Sequence, residues 1–333
     1  MQELEDFVME LFESLEQKIS GKDIKIVFPE GNDVRILGAA SRLAKDGLLK
    51  PIILGDKDEV NQVAKDADID LGDIEIVDYQ HQPQEEVDEM VSAIVARRKG
   101  KTDEAKARNW LKDPNYFGTT MVYMDKVDGM VSGAAHATGD TVRPALQIIK
   151  TKPGIKLLSG SFLLLRNDER YLFADSAINP ELDAEGLAGV AVESARFAKT
   201  FDIDPKVALL SFSTKGSAKG DMVTKVQEAT KLAQQMAPDI PIDGELQFDA
   251  AFVPSVAEKK APGSKVAGHA NVFIFPELQS GNISYKIAQR LGGFQALGPL
   301  LQGLNKPVND LSRGTSEDDV YKVSIITAAE TLN

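Results

Sequence analysis

Apolar residues in the first half of the chain fall into short runs that alternate with stretches of helical spacing. Ile24 to Phe28 is one such run, followed by Val34, Ile36, Leu37 and Leu43 at helical intervals that stop near Gly47. Pro51 to Leu54, closed by Gly55, and Ile74 to Val77 are two further strands. Buried runs separated by helices predict βαβ units and a parallel sheet. Glu86 to Arg98 predicts a helix with Val87, Met90, Ile94 and Val95 inward. Its end is basic, at Arg97, Arg98 and Lys99, where cations complement the helix dipole. A helix opening at Thr102, a strand end over Met130 to Ala135 and a helix over Thr141 to Ile149 complete this half.

The pattern then changes. Leu157 to Leu165 and Tyr171 to Ala174 flank the polar stretch Arg166 to Arg170, which predicts a hairpin rather than a crossover. Helices over Leu187 to Phe201 and Thr224 to Met236, with strands over Val207 to Phe212 and Val272 to Phe275, continue as α/β. A turn-rich connection near Gly303 to Pro307 leads to a last helix from about Glu317 to Leu332. The expected division is an α/β domain of residues 1–150 plus 306–333, made discontinuous by that helix, and a second α/β domain of residues 151–305.

Composition narrows the chemistry. The chain has 333 residues, 43% of them hydrophobic, and no cysteine, which excludes disulfides, thiolate metal sites and an acyl-cysteine. Its formal charge of −13 repels nucleic acid and anionic lipid, so a phosphate ligand needs a local basic pocket. The stretch Met1 to Glu16 is acidic and amphipathic, unlike a signal peptide, and no apolar run is long enough to span a membrane. A soluble, cytoplasmic protein is expected.

Familiar motifs are missing. There is no G-x-G-x-x-G, and Val95 stands where a Walker A preceding Gly100-Lys101-Thr102 needs glycine. His81, His136 and His269 are too scattered for a metal, and no G-x-S-x-G elbow occurs.

Four segments remain. Ser132 to Pro144 combines small residues, the hydroxyl of Thr138 and Arg143 at a strand-to-helix turn. Gly133 would let the backbone approach an anion, free N–H groups would hold it, and Arg143 would add a guanidinium fork. The plainer reading is an ordinary loop, with Asp140 as helix cap and His136 either lining a pocket or structural. Ser211 to Gly220, with Lys215 and Ser217, follows an apolar strand, the usual place for a ligand loop, or is a flexible polar loop. Arg97-Arg98-Lys99 is a phosphate contact or a dipole-driven helix end. In Asn309 to Asp319, Ser316 and Asp319 fit a capping box, which leaves Ser312, Arg313 and Gly314 unexplained.

These residues are recognisable together. Val131 to Pro144 (VSGAAHATGDTVRP), Leu210 to Lys219 (LSFSTKGSAK), Gly244 to Pro254 (GELQFDAAFVP), Gly281 to Leu291 (GNISYKIAQRL) and Pro307 to Gly314 (PVNDLSRG) resemble the phosphotransacetylases, in family order along essentially the whole chain. The resemblance implies a two-domain α/β fold like the isocitrate and isopropylmalate dehydrogenases, with mostly parallel sheets and the active site in the interdomain cleft. It implies a homodimer acting on small molecules, acetyl phosphate, phosphate and coenzyme A, with CoA or acetyl-CoA as substrate and no resident cofactor or metal. Ser312 and Arg313 match the family's catalytic serine and arginine, Asp319 its base, Arg143 a phosphate-binding arginine, and Arg97 or Arg98 another. Ala137 and Gly139 stand where some members carry serines.

The implied reaction is acetyl-CoA plus phosphate giving acetyl phosphate plus CoA. A CoA thiol, with a pKa near ~8.5 like cysteine, needs a base. Asp319 is the candidate, although a capping role competes with that one. Direct transfer in a ternary complex fits a chain without cysteine. A phosphate butyryltransferase, a non-catalytic acyl-CoA or acetyl-phosphate sensor, and a decarboxylating dehydrogenase of similar fold are the alternatives.

Overall fold

The structure is a computed structural model that describes residues 2–332, with side chains from residue 11 onward. Met1 and the side chains of residues 2–10, part of the stretch expected to be amphipathic, lie outside the described residues. The chain divides into two compact units, one of residues 12–152 with 304–333 and one of residues 1–11 with 153–303.

After α1 (Gln2–Ile19), the first unit alternates β1 (Lys25–Phe28), α2 (Val34–Lys45), β2 (Lys50–Leu54), α3 (Lys57–Asp66) and β3 (Glu75–Val77). Three helices follow: α4 (Gln84–Arg98), α5 (Glu104–Trp110) and α6 (Pro114–Tyr123). The segment ends in β4 (Gly129–Ser132) and α7 (Thr138–Pro144). Part of the acidity of the chain is consumed here. Asp33, Asp56, Asp103 and Asp113 each accept an N–H at a helix start, satisfying donors that the helix leaves open.

Some boundaries differ from the expected ones. The helix expected from Thr102 starts at Glu104, because Asp103 is its cap. In α4 Met90, Val91 and Ile94 are buried, whereas Val87 and Val95 are half-buried. The single helix expected over Thr141 to Ile149 is two pieces. Pro144 has no N–H to continue the ladder, and the turn after it, Ala145–Ile149, widens to a π-helix.

The second unit opens with the hairpin β5 (Ser159–Arg166) and β6 (Glu169–Ala174), paired antiparallel with Phe162 opposite Phe173. It continues with α8 (Ala184–Ala198), β7 (Val207–Leu210), α9 (Asp221–Met236) and β8 (Ile242–Leu246). Then come α10 (Phe248–Phe252), α11 (Pro254–Lys260), β9 (Val272–Ile274), α12 (Leu278–Arg290) and β10 (Gln295–Gln302). The sheet order is β10-β5-β6-β9-β7-β8, with β10 and β5 antiparallel to their neighbours and the other pairs parallel. Phe162, Phe173, Phe273, Phe275 and Tyr285 pack in one core cluster there.

The chain returns to the first unit as β11 (Val308–Asp310) and α13 (Glu317–Glu330). The order β11-β4-β1-β2-β3 makes that sheet wholly parallel among the described residues. Between β1 and β4 the strand sequence reverses direction across the sheet. Such a switch point leaves a crevice at the carboxyl ends of the strands.

Candidate functional site

Three loops leave the carboxyl ends of the adjacent strands β11, β4 and β1: residues 311–315, 133–137 and 29–33. Register fixes their neighbourhood, since Asp310 pairs with Ser132 and the next residue of each strand enters its loop. Two of the five strings that carried the resemblance, VSGAAHATGDTVRP and PVNDLSRG, are therefore side by side.

The N–H groups expected to hold an anion are already occupied by one of the protein's own. Glu30 is 2% exposed, and its Oε2 accepts from the N–H of Gly133 and Ala134 at 2.9 and 2.8 Å. Its Oε1 accepts from the N–H of Ala135 and His136 at 2.7 and 3.0 Å, with His136 Nδ1 at 2.7 Å. Burial works to raise the Glu30 pKa, but the His136 bond and the backbone amides outweigh it and hold the carboxyl below its ordinary value. The same bond raises the pKa of His136. Gly133 and His136 thus form the wall of the site through Glu30, and the loop is no open cradle for phosphate. Asp140 is not the cap of α7 either. Ala137 holds that position without a side-chain bond, and Thr138 is the first helical residue.

Gly133 has φ +115, and a Cβ on it would meet Asp310 Oδ1 at 2.4 Å and Leu311 N at 2.7 Å. Asp310 is fully buried, and neither of its oxygens has a hydrogen-bond partner among the described residues. Burial pushes its pKa up to about 7; the hydroxyls of Thr141 and Thr138 pull the other way, without reaching bonding geometry.

The cations divide sharply. Arg143 and Arg313 are exposed, and among the described residues neither guanidinium has a hydrogen bond or ion pair. Ser312 is exposed beside Arg313, its Oγ accepting the N–H of Gly314 at 3.3 Å. Arg97 is committed elsewhere: it donates to the carbonyls of Ile148 and Ile149 at 2.6 and 2.5 Å and covers the Tyr123 ring. Arg98 has a single long bond to the Gln147 carbonyl, 3.3 Å, and a buried Nε without a partner. Burial raises the Tyr116 pKa, while Arg143 and Arg98 both act to lower it. Asp319 closes the capping box on α13: its N–H donates to Ser316 Oγ at 3.1 Å, and its Oδ2 accepts the Ser316 N–H at 3.0 Å.

Lys215 and Ser217 belong to the second unit. Lys215 pairs with Asp243 and donates to the Gly244 carbonyl, and Ser217 Oγ accepts the Thr214 N–H at 3.0 Å. Glu245, 2% exposed, accepts from Ser213 Oγ and Gly216 N–H at 2.9 and 2.7 Å. Here too a buried glutamate ties down the backbone of a glycine- and serine-rich loop.

Glu30, Arg35 and Tyr116 escape a reading of the sequence, and Asp310 and Glu245 lie within the quoted strings without being singled out. Only the position of Glu30 after a predicted strand at a switch point could have marked it. Among the described residues no group of His, Cys, Asp and Glu is arranged to hold a metal, and no helix is long and apolar enough to cross a membrane.

Residues 10–328 match the family model described as phosphate acetyl/butaryl transferase. A phosphate acetyltransferase of Staphylococcus epidermidis is 60% identical, over 97% of this chain and 99% of its own. A phosphotransacetylase structure from Streptococcus pyogenes superposes with a TM-score of 0.93 at 57% identity, covering 98% and 99% of the two chains. A Salmonella typhimurium protein named for 4-hydroxythreonine-4-phosphate dehydrogenase activity has a TM-score of 0.54 at 13% identity, covering 93% and 97%, a likeness of fold alone.

Proposed function

The chain belongs to the phosphate acetyltransferase family of acyltransferases, and from that premise we propose that the loops after β11, β4 and β1 carry the exchange of acetyl between phosphate and coenzyme A. The observation that carries the assignment is the pair Arg143 and Arg313, exposed guanidinium groups without a partner among the described residues, in a chain of net charge −13. Two unsatisfied forks on neighbouring segments suit a phosphoryl group, which accepts bidentate bonds.

The transfer is read as direct. The CoA sulfur bonds to the carbonyl carbon of acetyl phosphate, the carbonyl oxygen takes up charge, and the bond to the phosphate oxygen then breaks. Arg143 and Arg313 neutralise the leaving phosphate. Ser312 and nearby N–H groups offer donors to the oxyanion, each worth roughly 3 kcal/mol in enzymes that use one. Asp319 takes the proton of the CoA thiol on the carboxylate that also caps α13. Arg98, less committed than Arg97, is the better candidate for a further phosphate contact, whereas Lys215 and Ser217 support their own loop first. CoA as exchanged substrate, a homodimer and a cytoplasmic location complete this reading.

Thioester formation from acetyl phosphate and CoA, followed by ultraviolet absorbance, tests it. The wild type is expected to be active with EDTA present, and Arg313→Ala to lose about 10²–10³-fold in kcat. A folded wild type that makes no thioester, or an Arg313→Ala variant of full activity, overturns the assignment.

A further inference from the structure

Arg35, in the first turn of α2, has five N–H groups and all five are used. Nε donates to Asp33 Oδ1 at 2.9 Å and Nη2 to Asp33 Oδ2 at 2.6 Å. The second hydrogen of Nη2 goes to the Ala134 carbonyl at 2.8 Å. Both hydrogens of Nη1 go to the other loop, to the carbonyls of Arg313 and Thr315, each at 3.0 Å. Asp33 is itself fixed as the cap of α2. The guanidinium is thus anchored to a helix end on one side and reaches two site loops on the other.

We propose that Arg35 is a positioning residue for acyl transfer, holding the backbone of the Arg313 loop against the loop of Gly133 to Thr138. The proposal rests on the reading that these loops carry the reaction. Arg35 takes no part through its charge on a substrate, because no N–H of it is left to offer. It acts through planarity, which lets one group meet three carbonyls and a carboxylate in fixed directions. In the loop 311–315, Ser312, Arg313 and Gly314 are exposed between buried Leu311 and Thr315, and the two carbonyls that Arg35 holds bracket this exposed turn. Glu30 performs the complementary task on the same neighbour, taking up the N–H groups of residues 133–136 while Arg35 takes up the carbonyl of Ala134. Glu30 lies in the loop after β1, and Arg35 follows it in the first turn of α2. That short stretch therefore fixes the donors of one loop and the acceptors of two.

Lysine cannot replace this arrangement. It has three donors on one atom and no plane, so it keeps the pairing with Asp33 or the carbonyls, not both sets. A misplacement near 1 Å in such a site lowers turnover by about 10²-fold.

The experiment compares wild type, Arg35→Lys, Arg35→Ala and Arg313→Ala in the thioester assay, with kcat and KM for acetyl phosphate, melting temperature, and added millimolar guanidinium. Arg35→Ala is expected to lose about 10²-fold in kcat while most of the protein remains folded, and guanidinium to restore part of the loss. Arg35→Lys is expected to melt near the wild type yet to lose at least about tenfold in kcat. Arg313→Ala should gain nothing in kcat from the rescue mediated at position 35. If Arg35→Ala does not fold, Arg35→Lys alone decides. Full kcat in a folded Arg35→Lys, or losses that follow only the unfolded fraction, overturn the proposal while leaving the transferase reading intact. A wild type that forms no thioester ends both.

Discussion

Asp319 is where chemistry and architecture compete for one side chain. Its Oδ2 holds the Ser316 N–H at the start of α13, a bond that asparagine can also accept through its amide oxygen. Asp319→Asn therefore keeps the cap and removes the base, whereas Asp319→Ala removes both. Alanine is expected to lower the unfolding free energy by about 1 kcal/mol and asparagine by less. If the carboxylate takes the thiol proton, both variants lose about 10²–10⁴-fold in kcat. An Asp319→Asn enzyme of full kcat assigns the residue to the helix alone. The cap itself was legible, because S-x-x-D is a local pattern. Glu30 and Arg35 were not, since their partners stand near residue 134 and near residue 314, and nothing in FPEGNDVR distinguishes a buried carboxylate from a surface turn.

At the scale of elements, two glycines of the first unit, Gly133 and Gly38, differ in what a methyl group would do. Gly133 lies at φ +115 against the Asp310 carboxyl and the Leu311 backbone, and neither can retreat. Gly133→Ala is expected to cost about 3 kcal/mol and to displace the loop that Glu30 holds. Gly38 lies inside α2, and the three atoms nearest to a Cβ there all belong to the Glu317 side chain, its carboxyl first. That end can swing into solvent, and alanine is the better helix former, so Gly38→Ala should stay within about 1 kcal/mol of wild type. Urea unfolding of the two variants checks the contrast. Strands with uninterrupted apolar runs, such as β1 and β2, were readable for the same reason that Gly133 was suspected: the local sequence carries the signal. Helix α6 was not readable, because it buries Asn115, Thr119 and Thr120, polar residues that break the apolar period.

Over the whole molecule, charge burial sets a window of pH for stability. Glu30 and Asp33 are held below their ordinary pKa values in the fold, so what they contribute is lost as pH falls through those lowered values. Asp310 and Glu330 act oppositely. Burial pushes Glu330 up from 4.5 to about 8, against a bond from Asn309 Nδ2 at 3.1 Å, and its Oε1 is shielded and without a partner among the described residues, although the residue is only partly buried. Between those two values the unfolded chain gives up the proton more readily than the folded one, so stability declines as pH rises. Glu330→Gln removes that decline. Its unfolding free energy, measured in urea, should exceed the wild-type value by at least about 1 kcal/mol at alkaline pH and match it in mild acid. A gap that does not change with pH would assign the effect to packing instead.

The return of the chain as β11 also has a meaning in time. Strand β4 and the segment with Glu30 and Arg35 are made before residue 152, but their partners in 308–315 follow the whole of 153–303. At about 5–20 residues per second, a ribosome needs roughly 10–30 s for that interval. Throughout it the outer edge of β4 has no strand beside it, and Arg35 has no Arg313 or Thr315 carbonyl to meet. An open edge is a template for wrong partners. A stalled or clipped chain ending at residue 303 would carry all of the second unit and the first without β11 and α13, and would remain adhesive, so synthesis through that last helix is itself part of how this fold stays clean.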